Sequence, residues 1–321
     1  MSVASPTAGS ATPRAYVLVG ATATGKTAVA QALAREHGWA VLSADAMQVY
    51  RGMDLGTAKP CPREREGIMY GGLDLADPDA PFSAGDYLRA VRMDWPRLAT
   101  TPAILVVGGS GLYVRALIEG LEAPASTPAI RAEAERLLKA EGIEALRRAV
   151  RERAPEIEVA IRDPLNPRRW VRAYERAAMG APSFRRRIRA DRPVVVGLRQ
   201  NPHALADRIR RRAQAMFEEG LLEEAKALRQ RWGSLSPTAE KAIGYREAFD
   251  VLDGRCTREE AIERIVVRTR QYAKRQMTWF RHQIAVDWVD VEHPPPDEVD
   301  LAAKVGARME RHGSATLYGI G

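Results

Sequence analysis

The sequence predicts an α/β protein, with a P-loop doubly wound parallel sheet core and an all-helical insertion domain. Three observations support this fold class. Residues 20–27 match the phosphate-loop pattern G-x-x-x-x-G-K-[ST], between an apolar run and a helix-like stretch. Strand and helix signals alternate through residues 15–125, and a strand signal returns after residue 192. Residues 126–192 show helical periodicity only.

Local patterns place the elements of the first part. A strand leads into the phosphate loop, and the helix after the loop ends at Gly38, because glycine readily adopts the left-handed conformation that closes helices. Residues 104–107 are continuously apolar, as expected for a buried parallel strand. The expected elements are strands over 15–19, 39–43 and 104–107, helices over 26–37, 84–98 and 112–118, and a long loop over 56–81.

The rest of the chain is mainly helical in pattern. The insertion carries a helix over 168–179, a strand follows over 194–198, and helical regions are expected over 202–232 and 257–282. Residues 284–291 alternate as an edge strand does. The expected divisions are a flexible tail (1–14), the first core part (15–125), the insertion (126–192), the second core part (193–292) and a weakly structured C-terminal tail (293–321).

The charge pattern favours an anionic partner. The 321 residues carry a net charge of +8. Residues 162–192 contain ten arginines against three acidic residues, and residues 264–281 contain five arginines and one lysine without an acid. Two separate arginine-rich windows favour contact with nucleic-acid phosphates, although charge runs also occur on solvated surfaces.

Composition also sets limits. Cys61 and Cys256 have no second Cys or His at metal spacing, so no zinc site is predicted. No apolar stretch approaches the roughly 20 residues that cross a bilayer, and residues 1–14 lack the apolar segment of a signal peptide. We expect a cytoplasmic monomer without a membrane partner.

The phosphate loop predicts polyphosphate binding. Gly20 and Gly25 allow backbone N–H groups to surround an anion, and the N-terminus of the following helix adds partial positive charge. Lys26 would neutralise a diphosphate or triphosphate, and the Thr27 hydroxyl would hold Mg²⁺. The alternative is a glycine-rich turn beside a surface lysine.

Two further features stand at strand ends. The strand over 104–107 ends in Gly108-Gly109-Ser110-Gly111, where an NTP-driven enzyme usually has a magnesium-supporting Asp. This second glycine turn suits phosphate oxygens, although a tight strand-to-helix turn alone also requires small residues. Asp45 follows the strand over 39–43, where a carboxylate could support Mg²⁺, cap a helix or act as a base.

Several motifs in order resemble one family, the tRNA dimethylallyltransferases, also called tRNA isopentenyltransferases. The resemblance covers residues 15 to about 282. Besides the phosphate loop, the segments that carry it are SADAMQVYRGMDLGTAKP (43–60), PFS (81–83), GGSGLY (108–113), AIGYR (242–246) and TRQYAKRQ (269–276).

The resemblance implies transfer of a dimethylallyl group from dimethylallyl diphosphate to N6 of an adenosine 3′ of the tRNA anticodon. The loop would then hold a diphosphate leaving group, with Mg²⁺ as cofactor. By the same resemblance Asp45 is the base, with Lys26 and Ser110 as the other catalytic residues. Arg208 and Arg212, four residues apart, are candidates for diphosphate or RNA, or lie on a solvated face. The implied diphosphate-binding residues are Gly20, Ala21, Thr22, Ala23, Thr24, Gly25, Lys26, Thr27 and Arg208.

The implied partner is the anticodon stem-loop of tRNA, with the insertion as an RNA clamp. Trp170 and Tyr174 are equally compatible with a helix core. Departures from the family pattern are Ala46 where Ser or Arg is common, Ser110 for Thr, and Arg168 for Gln. The implied tRNA-binding residues are Asp45, Ala46, Met47, Gln48 (at the base edge), Ser110, Arg131, Arg168, Arg169, Trp170, Val171, Arg172, Lys241, Gly244, Tyr245, Arg246 and Arg275.

Two rival functions remain at this point. An ATP-dependent small-molecule kinase would use the same loop, but it leaves the second glycine turn and the basic insertion unexplained. A non-catalytic RNA-binding module would explain the basic windows, but it leaves the phosphate loop and Asp45 without a purpose.

Overall fold

The protein contains a six-stranded, all-parallel sheet with strand order β3-β2-β4-β1-β5-β6. A computed structural model describes residues 13–120, 127–159, 161, 163–180, 193–292 and 298–320. Arginines 185–187 of the basic insertion window therefore lie outside the described residues. The strands are β1 (Arg14–Gly20), β2 (Ala40–Ser43), β3 (Tyr70–Gly71), β4 (Ala103–Gly108), β5 (Val195–Gln200) and β6 (Val286–Val291).

The chain separates into two compact units, one of residues 1–120 with 191–321 and one of residues 121–190. The sheet lies in the first unit with helices α1 (Lys26–His37), α2 (Ala84–Leu98), α3 (Gly111–Glu119), α8 (Pro202–Glu218), α9 (Leu221–Trp232), α10 (Tyr245–Leu252), α11 (Arg258–Gln283) and α12 (Glu298–His312). The second unit contains α4 (Pro128–Glu141), α5 (Ile143–Arg153), α6 (Pro155–Val159) and α7 (Pro167–Ala178).

The central strands are apolar on both faces because helices cover both faces. Every residue of β4 is buried, and only Arg14 of β1 is exposed. The sheet register aligns Val19 of β1 with Gly108 of β4, and Ser43 of β2 with Val107 of β4. Consequently the loops that follow β1, β2 and β4 leave the sheet side by side at one edge.

Residues 298–320 correct the expected weakly structured C-terminal tail. Helix α12 packs against α1, and it buries Leu301, Ala302, Val305 and Met309 in the main core. These residues follow helical spacing, a signal that the Pro-rich segment before them obscured. The chain then returns to the first strand, where Ala315 N donates to Ala15 O at 2.7 Å.

Three shorter elements of the first unit were also missed. The expected loop over 56–81 contains β3, which pairs with β2 through two residues. The segment after α9 contains a 3₁₀ turn (Ala239–Lys241) and the eight-residue helix α10. All three are too short to be detected from the periodicity of the sequence.

The helical unit has its own hydrophobic core. Trp170, Val171 and Tyr174 of α7 pack with Leu146 and Val150 of α5. Among the described residues of this unit there is no strand, as expected from the sequence.

Candidate active site

The phosphate loop, Asp45 and the second glycine turn meet at the carboxyl edge of the sheet. Residues 21–25 follow β1, Asp45 is the second residue after β2, and Gly109 and Ser110 follow β4 directly. In open parallel sheets this edge is where ligands bind. The structure thus brings together the three features that the sequence singled out.

The loop adopts a conformation that its two glycines make possible. Gly25 has φ +91°, in the left-handed region, and Gly20 has φ +149°. A Cβ at Gly20 would lie 2.6 Å from Leu198 O, so a side chain there would collide with β5. Lys26 Nζ donates to Ala21 O at 2.6 Å, which folds the lysine back across the loop.

Two arginines of α8 border the loop. An added Cβ on Gly25 would lie 3.4 Å from Arg208 Nη2, which places that guanidinium against the loop. Arg212, one helical turn further, donates from Nη1 to Thr22 Oγ1 at 3.2 Å. Its Nε is buried without a hydrogen-bond partner. A buried, unpaired donor is uncommon in folded proteins, and at this place it suits an anion.

The electrostatics of the loop match an anion site. Burial of the amine lowers the pKa of Lys26 to about 8, the Asp45 carboxylate opposes this shift, and Arg212 adds to it. Burial also lowers the pKa of Arg212, again opposed by Asp45. Two half-buried cations thus lie near one carboxylate. An anion such as diphosphate would relieve their mutual repulsion.

Asp45 and Ser110 are both oriented by backbone groups of the same short segment. Asp45 Oδ1 accepts from Met47 N at 2.9 Å. Ser110 Oγ accepts from Ala46 N at 2.9 Å. The predicted contacts of Ala46 and Met47 with tRNA remain predictions. In this structure their amides fix the base candidate and the serine hydroxyl relative to each other.

Helix α11 contacts both glycine turns. The sequence analysis did not predict these contacts. Gln276 accepts from Thr22 N at 2.8 Å and donates to Gly109 O at 2.9 Å. Burial, and next the charge of Asp45, raise the pKa of Tyr272 to about 12. The sequence analysis recognised the motif at 269–276 but gave Gln276 no contact. The glycines at 109 and 111 were the available signal, because side chains of α11 approach both positions closely.

The Gln48 carboxamide is engaged within the protein. Its Oε1 accepts from Ser43 Oγ at 2.8 Å, and its Nε2 donates to Ala58 O at 3.1 Å and Thr57 O at 3.4 Å. Reading a base edge with this amide therefore requires some of these bonds to open. Base recognition by Gln48 stays a prediction.

Two residues expected to contact tRNA in the first unit are buried in this structure. Tyr245 is fully buried and packs against Gly56, where an added Cβ would lie 2.5 Å from its ring. Gly244 is buried beside it. The predicted contacts of both residues with tRNA remain predictions. Lys241, Arg246 and Arg275 are exposed, so their predicted contacts remain predictions.

The predicted RNA contacts of the helical unit likewise include both buried and exposed residues. Trp170 is 1% exposed, donates from Nε1 to Pro164 O at 2.7 Å and belongs to the core with Val171. Trp170 thus lies in the helix core, as the alternative interpretation expected, and the predicted contacts of Trp170 and Val171 with tRNA remain predictions. The arginines of the set stay accessible: Arg131, Arg168 and Arg169 are exposed, and Arg172 is half-buried beside Glu175.

The donor set for a metal is sparse. The described residues hold no group of three or more His, Cys, Asp or Glu that could enclose an ion. Thr27 is half-buried and is the second residue of α1, next to Lys26. Mg²⁺ commonly binds through one or two protein oxygens together with phosphate oxygens and water, so these residues fit Mg²⁺ carried with a diphosphate.

Within the described ranges, no helix is long and apolar enough to span a bilayer.

Sequence comparisons identify relatives over most of the chain. A family model described as IPP transferase matches residues 48–283, and one described as Isopentenyl transferase matches residues 13–71. The tRNA dimethylallyltransferase of Geobacillus kaustophilus is 40% identical over 299 residues, which cover 90% of this chain and 93% of that protein. The enzyme of the same name from Acidothermus cellulolyticus is 39% identical over 86% of this chain and 89% of its own.

Solved structures agree with the sequence relatives. The full-length tRNA isopentenylpyrophosphate transferase of Bacillus halodurans is 34% identical, with 93% of this chain and 97% of that chain covered and a TM-score of 0.64. A eukaryotic dimethylallyltransferase described as acting on tRNA shares the fold at 22% identity, with a TM-score of 0.70 over 93% of this chain and 77% of that chain. The phosphate loop and Asp45 at one edge of a parallel sheet agree with these matches. A family model that spans residues 48–283 and relatives near 40% identity show that this chain belongs to the IPP transferase family.

Proposed function

We propose that this protein transfers a dimethylallyl group from dimethylallyl diphosphate to N6 of the adenosine 3′ of the anticodon in tRNA and releases diphosphate. The observation that carries the proposal is the position of Asp45 at the sheet edge where the phosphate loop lies. There its negative charge acts on both Lys26 and Arg212. Donor chemistry and acceptor chemistry thus share one edge. The names of the relatives and the family model support the same reaction.

The donor side stabilises a departing anion. The allylic C1–O bond breaks with its electron pair on diphosphate, and the N6–C1 bond forms. Negative charge therefore accumulates on the leaving group, where fixed cations and N–H groups act most strongly. Lys26, Arg208 and Arg212 lie at the loop, and Ser110 is the N-cap residue of α3. Mg²⁺ held with the diphosphate by Thr27 would supply further positive charge.

The acceptor side removes a proton. The exocyclic amine of adenine is a weak nucleophile because its lone pair is delocalised into the ring. It becomes stronger as its proton moves to a base within hydrogen-bond reach. Asp45 takes the N6 proton in this proposal, and the contact of its Oδ1 with Met47 N fixes the carboxylate direction. The adenine has to leave its stack to reach this edge, which single-stranded loops allow at low cost.

The anticodon stem-loop would contact exposed arginines. Arg168 and Arg169 on α7, and Arg246 and Arg275 on the first unit, are exposed and available for phosphate. Phosphate contacts of this type position RNA without reading its sequence. The choice of adenosine then depends on the residues around Asp45.

One assay tests the proposal against both rivals. The protein is incubated with dimethylallyl diphosphate labelled in the allyl group and with unmodified tRNA. Label in RNA, located at N6 by the mass of the released nucleoside, is expected. ATP hydrolysis without label transfer would favour the kinase, and tRNA binding without any turnover would favour the binding module. Either result would overturn the proposal.

A matched pair of variants tests the base. Asp45→Asn keeps the shape and the contact with Met47 N but removes the proton acceptor, and we expect turnover to fall by about 10² or more with diphosphate affinity little changed. Asp77→Asn, an exposed carboxylate paired with Arg51, is the control. A mild effect of Asp45→Asn would remove Asp45 as the base.

A further inference from the structure

The gap between the two glycine turns is bridged by one side chain. The turns follow β1 and β4, which pair through six residues from Arg14 with Ala103 to Val19 with Gly108. Beyond Gly108 this backbone ladder ends. Thr22 N and Gly109 O then both hydrogen-bond to the carboxamide of Gln276 on α11, at 2.8 and 2.9 Å.

The carboxamide of Gln276 has the donor and acceptor arrangement of a peptide group. Its Oε1 accepts from one turn and its Nε2 donates to the other, as a peptide does between two strands. Gln276 is 5% exposed, so water does not readily replace these bonds. A buried amide whose two ends are both satisfied is held in one orientation. The bridge therefore fixes how far the phosphate loop stands from the Ser110 turn.

The glycines of the second turn allow this close approach. A Cβ on Gly109 would lie 2.2 Å from Gln276 Nε2, so the amide would have to move away from the turn. A Cβ on Gly111 would lie 2.2 Å from the Trp279 ring, one turn further along the same helix face. The GGSG sequence thus makes room for α11 as well as for phosphate.

We propose that Gln276 is a positioning residue that keeps the two anion-binding turns in register, so that one diphosphate contacts both at once. This inference rests on the proposed function, because it assigns the Ser110 turn to the same diphosphate as the loop. Gln276 itself touches neither substrate in this proposal. It acts through Thr22 N and Gly109 O.

Two variants separate positioning from stability. Gln276→Glu retains length and the acceptor for Thr22 N, but it places a carboxylate oxygen against Gly109 O. Gln276→Met retains length and removes both hydrogen bonds. We expect each to weaken inorganic diphosphate binding by about tenfold, which corresponds to 1.4 kcal/mol, measured by calorimetry. The KM for dimethylallyl diphosphate should rise and kcat should fall, whereas the KM for tRNA should stay within about twofold.

The matched control is Gln271→Met, on an exposed position of the same helix. It should leave diphosphate affinity, both KM values and kcat unchanged. A structural role alone would lower the melting temperature of the Gln276 variants and leave the constants of the folded protein at wild-type values, which would overturn the proposal. If Gln276→Met does not fold, Gln276→Glu decides.

A double-mutant cycle gives an independent check. Gly109→Ala alone should reduce diphosphate affinity, because its Cβ displaces the Gln276 amide. Combined with Gln276→Ala it should cost little more than Gln276→Ala alone. Additive losses would contradict the bridge. A wild-type protein that binds diphosphate but transfers no label would refute the proposed function and leave this binding comparison intact.

Discussion

The Tyr245 hydroxyl donates to Glu224 Oε1 at 2.6 Å, and the same carboxylate accepts from Leu55 N at 2.9 and 3.1 Å. This contact joins α9 and α10 to the segment after Asp45. The segment ends at Lys59, whose buried Nζ donates at 2.6 Å to both Asp54 and Asp74. Tyr245, a predicted tRNA contact, is buried here and supports the segment whose Ala58 carbonyl accepts from the Gln48 amide.

Removal of the Glu224 carboxylate should destabilise the segment that ends at Lys59. Glu224→Ala leaves Leu55 N and the Tyr245 hydroxyl without their partner, so we expect the free energy of unfolding to fall by about 2 kcal/mol. The KM for tRNA should rise while diphosphate affinity is retained, because the phosphate loop does not depend on this contact. Denaturant titration and steady-state kinetics measure both quantities. Glu223→Ala, exposed on the same turn of α9, is the control, and equal losses in both variants would contradict the assigned role.

Diphosphate binding should weaken with rising pH. The pKa of Lys26 is lowered to about 8, mainly by burial. The ammonium is therefore charged below pH 8 and neutral above it, and a bound anion favours the charged form. Lysine ¹³Cε NMR should show one resonance, absent from Lys26→Met, with a midpoint near 8 that moves up when inorganic diphosphate is added. A midpoint at the ordinary lysine value of about 10.4 would show a solvated amine.

Core and surface roles on α7 should separate cleanly. Trp170→Ala removes a buried indole and should destabilise the helical unit by about 3–5 kcal/mol. Arg169→Ala changes an exposed guanidinium 3.7 Å from Asp163, so stability should stay within about 0.5 kcal/mol. If Arg169 contacts one phosphate, the slope of log affinity for tRNA against log salt should decrease by about 1 in magnitude. An unchanged slope would place Arg169 away from RNA.

The contribution of Asp287 to the packing of α12 should be lost at acid pH. Asp287 on β6 accepts from His312 Nε2 at 2.9 Å and from Arg308, and these contacts lower its pKa, with the His312 bond as the largest cause. A carboxyl group with a lowered folded pKa stabilises the fold above its unfolded pKa of about 3.9 and loses this contribution as pH falls through the folded value. Urea titrations should show Asp287→Asn less stable than wild type at pH 7, with the difference shrinking below about pH 4. Glu292→Gln, 71% exposed, should not change this profile.

The phosphate loop and the strands of the sheet other than β3 were predictable because their signals are local. The pattern at 20–27 requires particular residue types at fixed spacing, and the run at 104–107 is apolar because both sheet faces are covered. The capping box of α11, Thr257 with Glu260, is likewise visible in sequence and present in the structure. Each of these signals involves residues a few positions apart.

The supporting contacts were not predictable because their partners are far apart in the chain. Gln276 is separated from Thr22 by 254 positions, and Glu224 from Leu55 by 169. A buried glutamine and a surface glutamine have the same appearance in a helical pattern. Motif membership of Tyr245 marked it as important, but the pattern could not tell packing against Gly56 from contact with RNA.

The return of residue 315 to residue 15 has a consequence during synthesis. The backbone of Ala15 is satisfied by Ser314 and Ala315, and α1 is covered by α12. On the ribosome the first strand and helix therefore emerge with one face unprotected, and they stay so until some 300 residues have been translated. Nascent chains arrested before α12 should bind holdase chaperones and be cleaved by added protease within the first strand and helix. Chains carrying a C-terminal linker that places residue 320 outside the exit tunnel at arrest should resist both.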